Sequence, residues 1–472
     1  MLFNSLPFVL FLVLVFTGYW FVFQRNIRLQ NIFIFVNSYV FYAWWDWRFL
    51  FLIAFSSLVG FFFGWWMNES TNEKNRKVLL IINLSINLLF LGAFKYFNFF
   101  SDSLQYILHS FGFNADLVTL KWILPIGISF YTFHNISYIM DVYRRSITPT
   151  KDIFVYLSFM SYFPQLVAGP IQRAKDLIPQ FQQKRIFMYE QAVAGSQQIL
   201  WGLFKKVVIA DTCASYVNST FDHYADASGL QLILGTIFFA FQIYGDFSGY
   251  TDMALGISKL FGIELTTNFK TPYFAKSIPD FWRRWHISLT TWFKDYLYIP
   301  LGGNKNGLAI TVRNTFIIFL VSGFWHGANW TFIIWGLLNA LYFLPYLFLP
   351  LDIKKEGYTF KDILHMIFVF VLICFSWIFF RSTSLTEAID YIKHMSSNPF
   401  LPDLLWKILP LSIVAPLIFF ICIEWIFFRK EGFREIQFKT SWISWPIYAG
   451  ILILVLMKMS FHASSDFIYF QF

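Results

Sequence analysis

Two histidines in unlike settings are the side chains best placed to do chemistry. His326 stands in "LVSGFWHGANWTFIIWGLL", an apolar run with no acidic or basic residue beside it. A titratable group in such a run is costly to keep and usually faces a cavity or a relay. Ser322, Gly323 and Gly327 around it allow close approach by backbone or ligand. His286 lies in "PDFWRRWHISLTTWFKDYLYIPLGGNK", directly after Arg283, Arg284 and Trp285. Its bland alternative is a hydrogen bond at a membrane interface, where His often accompanies Trp. Asp246 and Asp252, six apart in "YGDFSGYTDMALG", are placed to hydrogen-bond structurally, to bind an ion or to relay a proton, and the structural role is favoured. For His134 in "SFYTFHNIS" the expectation is packing with one hydrogen bond. Cys213, Cys374 and Cys422 are scattered, which suggests neither a disulfide framework nor a metal site, and no metal is expected. GxSxG, HExxH and a Gly-rich phosphate loop are all missing.

The elements that must position these residues are membrane helices. Of the 472 residues, 57% are hydrophobic, 22% are aromatic and only 13% are charged, against about 25% charged in a soluble domain. Apolar runs of the length a bilayer demands, roughly 20 residues, occur near residues 7–23, 31–46, 49–66, 78–99, 119–140, 192–210, 231–257, 331–350, 361–380, 407–428 and 442–460. The first lacks a basic n-region and a cleavage site, so it reads as a span and not as a signal peptide. Two more stretches, 153–169 and 314–329, carry Pro or Gly and are expected to dip into the membrane and return, or to pair with neighbours. With that re-entry, the connecting segments 24–28, 67–77, 141–151, 171–186, 259–313, 354–361 and 429–439 hold most of the 36 basic residues. The positive-inside rule then places them in the cytoplasm and the N-terminus outside. The net charge of +9 is thus explained by the bilayer, and nothing in its distribution points to nucleic acid. A single polytopic membrane domain over residues 1–472 is expected.

Within segment 259–313, Trp282, Trp285, Leu289, Trp292, Tyr296 and Ile299 recur at intervals of three and four. That spacing predicts one amphipathic helix beginning at Pro279–Asp280 and ending near Tyr298, lying at the interface or plugging the cytoplasmic mouth.

Several stretches together resemble the membrane-bound O-acyltransferases, in their bacterial alginate O-acetyltransferase branch. They are "FWRRWHISLTTWFKDYLYIPLGGNK", "SGFWHGANWTFIIWGLLNA", "PIGISFYTFHNISYIMDVYRR", "FPQLVAGPIQR", "YGDFSGYTDMALGI" and the closing "FIYFQF". A teichoic-acid D-alanyltransferase shares the two histidine segments. The resemblance implies an all-α integral membrane fold of about eleven transmembrane helices, with re-entrant and interfacial helices around a central acyl-transfer tunnel and a family core near residues 120–350. It implies that His326 is the catalytic residue and His286 the second functional histidine. Acyl transfer to an alcohol needs a group that takes the hydroxyl proton, and neutral imidazole suits that work. On this reading His326 is the base, His286 orients the thioester or stabilises the oxyanion, and Asn329 shares that role. Trp325, Arg283, Arg284 and Asp246 are further substrate-channel candidates. The basic cluster of Arg283, Arg284, Lys294 and Lys305 either attracts donor phosphates or anchors to lipid headgroups.

No bound cofactor is expected. The donor would be acetyl-CoA or an acyl thioester derived from it, the acceptor a cell-surface or exported polysaccharide, and an extracytoplasmic partner protein would complete delivery at the cytoplasmic (inner) membrane. The alternatives are D-alanyl transfer to teichoic acid, peptidoglycan O-acetylation and, outside enzymes, a transporter or channel. A transporter would more naturally show inverted repeats, and none is visible.

Overall fold

The computed structural model describes residues 1–113, 119, 125, 127–166, 169–349, 359–398, 410–429, 441–459 and 467–468. Parts of the expected spans 119–140, 331–350, 407–428 and 442–460 lie outside these residues, as do segment 430–439 and most of the closing "FIYFQF". Every regular element among the described residues is helical. Seven of these helices are long and apolar enough to cross a membrane: Trp47–Glu69, Glu73–Ser110, Gly229–Leu260, Leu308–His326, Trp330–Phe348, Phe360–Arg381 and Leu411–Arg429. Leu6–Val22 and Trp445–Lys458 are apolar but shorter. The chain packs as two compact units, Met1–Ser196 with Ala254–Thr266, and Gln197–Met253 with Thr267–Phe472.

In the first unit, helix Ile128–Tyr143 is buried on nearly every side although it carries Ser, Thr, His, Asn and Asp. Polar bonds make that possible. Asn135 Nδ2 donates to the Ser56 carbonyl at 2.6 Å, and Ser56 Oγ donates to Asn87 at 3.0 Å, tying three helices together. Gly60 and Gly64 of helix Leu50–Glu69 leave room for Tyr156, Asn135 and Tyr138, the small-residue packing that membrane helices rely on. His134 is fully buried and its Nε2 accepts the Gln172 N–H at 3.1 Å, the packed histidine anticipated from its setting. The expected dip at 153–169 is a short interrupted element, Ile153–Ser161 followed by Phe163–Leu166.

In the second unit, helices Leu308–His326 and Trp330–Phe343 form a hairpin joined by Gly327, Ala328 and Asn329. Side chains at Gly323 and Gly336 would strike the carbonyls of Phe332 and Phe319 on the facing helix, so the two backbones touch. Asn329 starts the second helix by accepting the Thr331 N–H at 3.0 Å, an ordinary N-cap. Of the two expectations for 314–329, the structure shows pairing with a neighbouring helix. The glycines do not break the helix; they let it pack, and it runs unbroken from Leu308, inside the segment taken as a connecting loop, to His326.

The single helix predicted from Pro279 to Tyr298 is also corrected. Helix Ile278–Arg284, N-capped by Ser277, stops before Trp285, and helix Ile287–Phe293 starts after His286. A wide turn over Lys294–Tyr298 follows. The stripe is not an interfacial face either: Trp282, Trp285, Leu289, Trp292 and Tyr296 are buried, and only Ile299 is exposed.

Candidate active site

His286 sits at the break between the two short helices with φ +43°, a left-handed conformation that a non-glycine residue holds only where its surroundings impose it. Asn268 supplies the constraint. Its backbone carbonyl accepts the Ile287 N–H at 2.9 Å, and its side-chain Oδ1 accepts the Ser288 N–H at 3.2 Å and the Ser288 hydroxyl at 3.0 Å. The same oxygen lies 3.1 Å from His286 Nδ1. The ring is enclosed by Phe247 at 4.7 Å and Trp325 at 6.1 Å between centroids, and its Nε2 has no hydrogen-bond partner among the described residues. Burial pushes the imidazole down to about 3, so it is neutral at any physiological pH.

His326 is the last residue of the first hairpin helix, buried at 4% exposure. Its ring lies 4.8 Å from Trp325, 5.1 Å from Trp335 and 5.2 Å from Phe380. Trp325 therefore touches both histidines, and 40 residues of sequence separation close into one buried cluster. Trp335 stacks on Trp377 at 5.9 Å, and the indole N–H groups of both, like that of Trp282, are buried without a hydrogen-bond partner among the described residues. Unsatisfied donors of this kind are rare in a folded chain and call for a ligand or water. The arrangement offers imidazoles to handle a proton and indole donors to meet a developing negative charge.

The other sequence candidates divide. Asn329 is engaged at both ends of its amide, as the N-cap and as a 2.7 Å donor to the Thr383 carbonyl. Arg284 pairs with Asp280 at 2.9 Å and lies over the Phe428 ring at 5.0 Å, while Arg283 is exposed one helical step away. Asp246 belongs to a charge network that sequence reading missed. Lys206 bridges Asp246 at 2.7 Å and Asp211 at 2.9 Å, and Asp246 also accepts the Ile468 N–H at 2.6 Å. Lys205 pairs with Asp252 at 2.9 Å and lies 3.7 Å from Glu424, which accepts from the Tyr244 hydroxyl. The available signal was "LFKKVV", two lysines inside an expected span that need buried counter-ions. Asn268, Trp335 and Trp377 were missed as well, since nothing local in "TTNFKT" or "IIWGLL" distinguishes a histidine's neighbour from packing.

Residues 147–389 match the family model described as membrane-bound O-acyltransferase. A probable alginate O-acetylase of Pseudomonas putida is 39% identical over 389 residues, covering 82% of this chain and 79% of the relative. The chain belongs to the membrane-bound O-acyltransferase family. It is a multi-pass membrane acyltransferase, and the channel or transporter alternative is set aside. A peptidoglycan O-acetyltransferase of Helicobacter pylori is 36% identical over 84% of this chain and 80% of its own length. A teichoic acid D-alanyltransferase of Bacillus subtilis is 30% identical over 54% of this chain and 68% of its own length. Both histidines fall inside the family match.

Proposed function

We propose that this acyltransferase takes acetyl groups from acetyl-CoA, or from a thioester derived from it, on the cytoplasmic side and delivers them to hydroxyls of an exported or cell-surface polysaccharide such as alginate. An extracytoplasmic partner protein completes the transfer to the sugar. The observation that carries the reading is the buried His286–Trp325–His326 cluster in a chain related over four-fifths of its length to a probable alginate O-acetylase.

His326 acts as the general base. It removes the hydroxyl proton as the oxygen attacks the thioester carbonyl, the C–S bond breaks, and the proton passes to the departing thiolate. The negative charge on the carbonyl oxygen is met by the indole N–H of Trp335, whose ring is 5.1 Å from that of His326. Arg283 and Arg284, on the helix that leads into His286, attract the phosphates of the donor.

The peptidoglycan relative has comparable coverage, so peptidoglycan is the second acceptor to examine. Mass spectrometry of surface glycans and peptidoglycan from cells with the wild-type chain, with His326→Ala and with no copy separates the readings. O-acetyl esters lost from a polysaccharide in both defective strains support the proposal. Loss from peptidoglycan alone moves the acceptor, loss of D-alanyl esters moves the donor, and unchanged envelopes refute acyl transfer to either polymer.

A further inference from the structure

We propose that Asn268 is a positioning residue that locks His286 as the tautomer protonated on Nδ1, leaving Nε2 as a bare acceptor for a hydroxyl or amide N–H of the substrate. The Asn268 amide has one possible orientation. Its side-chain atom facing the Ser288 backbone N–H at 3.2 Å must be the oxygen, because a backbone N–H only donates. That oxygen is also 3.1 Å from His286 Nδ1, and a contact between an amide oxygen and a ring nitrogen is a hydrogen bond only when the nitrogen carries the hydrogen. A neutral imidazole has one N–H, so it is spent on Asn268 and Nε2 keeps its lone pair.

The ring is flanked by Phe247, Phe269 and Trp325 at 4.7, 6.4 and 6.1 Å between centroids, and its Nε2 meets no N–H or O–H among the described residues. A buried acceptor without a donor is completed by a ligand or by water, and beside the acyl-transfer cluster we assign it to the ligand. The chemistry of that ligand follows: it brings a hydrogen, as an alcohol or an amide does, and is not a bare carbonyl oxygen. His286 therefore does not stabilise an oxyanion, since in this tautomer it has no hydrogen to give. That separates the two histidines by role, with His286 holding a substrate group and charge stabilisation left to the indoles near His326. The left-handed backbone at His286 serves the same end, because it brings Nδ1 and Ser288 to the Asn268 side-chain oxygen and the Ile287 N–H to the Asn268 backbone carbonyl.

The identity of the substrate group rests on the acyl-transfer reading; the tautomer does not. The full chain, labelled with ring-15N histidine and reconstituted in lipid vesicles, is examined by solid-state NMR, with the His286 signals assigned by difference against His286→Asn. The expected spectrum between pH 5.5 and 8 has Nδ1 protonated and Nε2 bare. Asn268→Asp, which keeps the acceptor, preserves that pattern, and Asn268→Leu gives a mixture of tautomers. Ser288→Ala removes another bond to the same oxygen and leaves the pattern unchanged. A protonated Nε2 in the wild type overturns the proposal even if Asn268→Leu fails to fold. So does an unaltered pattern in a folded Asn268→Leu.

Acetyl transfer is measured on the same samples. Asn268→Leu should lower kcat by about 10- to 100-fold, the usual consequence of losing the partner that orients a histidine. KM for the donor should stay near the wild-type value, and Asn268→Asp should restore kcat. A merely structural asparagine would instead lower yield and melting temperature with no change of tautomer. Wild-type protein without acetyl transfer refutes the acyl-transfer reading, while the nitrogen spectrum still decides the tautomer.

Discussion

Replacing His326 by Gln isolates chemistry from packing. Glutamine fills similar space and keeps a polar tip but cannot take a proton at neutral pH. A positioned general base contributes roughly 10²- to 10⁴-fold, which corresponds to about 3–5 kcal/mol of barrier. The structure sets what the alternative substitution adds. The imidazole contacts three aromatic rings at 4.8–5.2 Å, and at about 0.5–1.5 kcal/mol for each such pair His326→Ala loses roughly 2–4 kcal/mol of stability beyond the chemical effect. His326→Gln should therefore cut acetyl release from a labelled thioester, and acetyl transfer to an oligosaccharide acceptor, by at least about 10²-fold; it gives up the same ring contacts as alanine but fills most of the space, so its melting temperature should fall less than that of His326→Ala. His326→Ala should lose both activity and thermal stability. If His326→Gln retains activity within a few-fold of wild type while well folded, the assignment of His326 as base is wrong and the cluster is a packing core.

Three further outcomes follow from the same geometry. Lys206→Met removes the buried cation that pairs with Asp246, and breaking a buried pair from one side costs about 3–5 kcal/mol; loss of monodisperse protein in detergent is expected, and a normal melting curve would show the network to be dispensable. Gly323→Leu forces the hairpin helices apart at the Phe332 carbonyl, so it should lower melting temperature and activity together, and full activity would mean that the backbones do not touch. Because His286 has its midpoint at about 3 instead of 6.5, the native chain binds fewer protons than the unfolded chain between these values. The stability it contributes is complete above about pH 6.5 and is lost as pH falls toward 3, about 2 kcal/mol by pH 5. Thermal melts should show wild type more acid-sensitive than His286→Phe, and equal sensitivity would refute a neutral buried ring.

Composition was enough to reveal a membrane protein, because so aromatic and weakly charged a chain has no other solvent to suit it. His326 was legible for the same reason: a titratable residue in an apolar run stands out against its neighbours. The helix break at His286 was not. The three-and-four spacing of Trp282, Trp285, Leu289 and Trp292 continues across it, whereas its cause, Asn268, lies 18 residues upstream and acts through bonds no periodicity records. At 314–329 the close backbone approach that Gly323 permits was legible, but the partner it serves, Phe332 on the facing helix, was not. The Lys205–Glu424 contact joins residues more than two hundred positions apart, and only the folded second unit brings them together.

Evolution of this enzyme meets a fixed point at the Gly323–Gly336 crossing. Any larger side chain there displaces the corner that carries His326, so the hairpin interior is closed to gradual change. A substitution at this crossing therefore acts on the position of His326 without touching its ring, so packing between two backbones and the setting of a buried histidine are one and the same constraint.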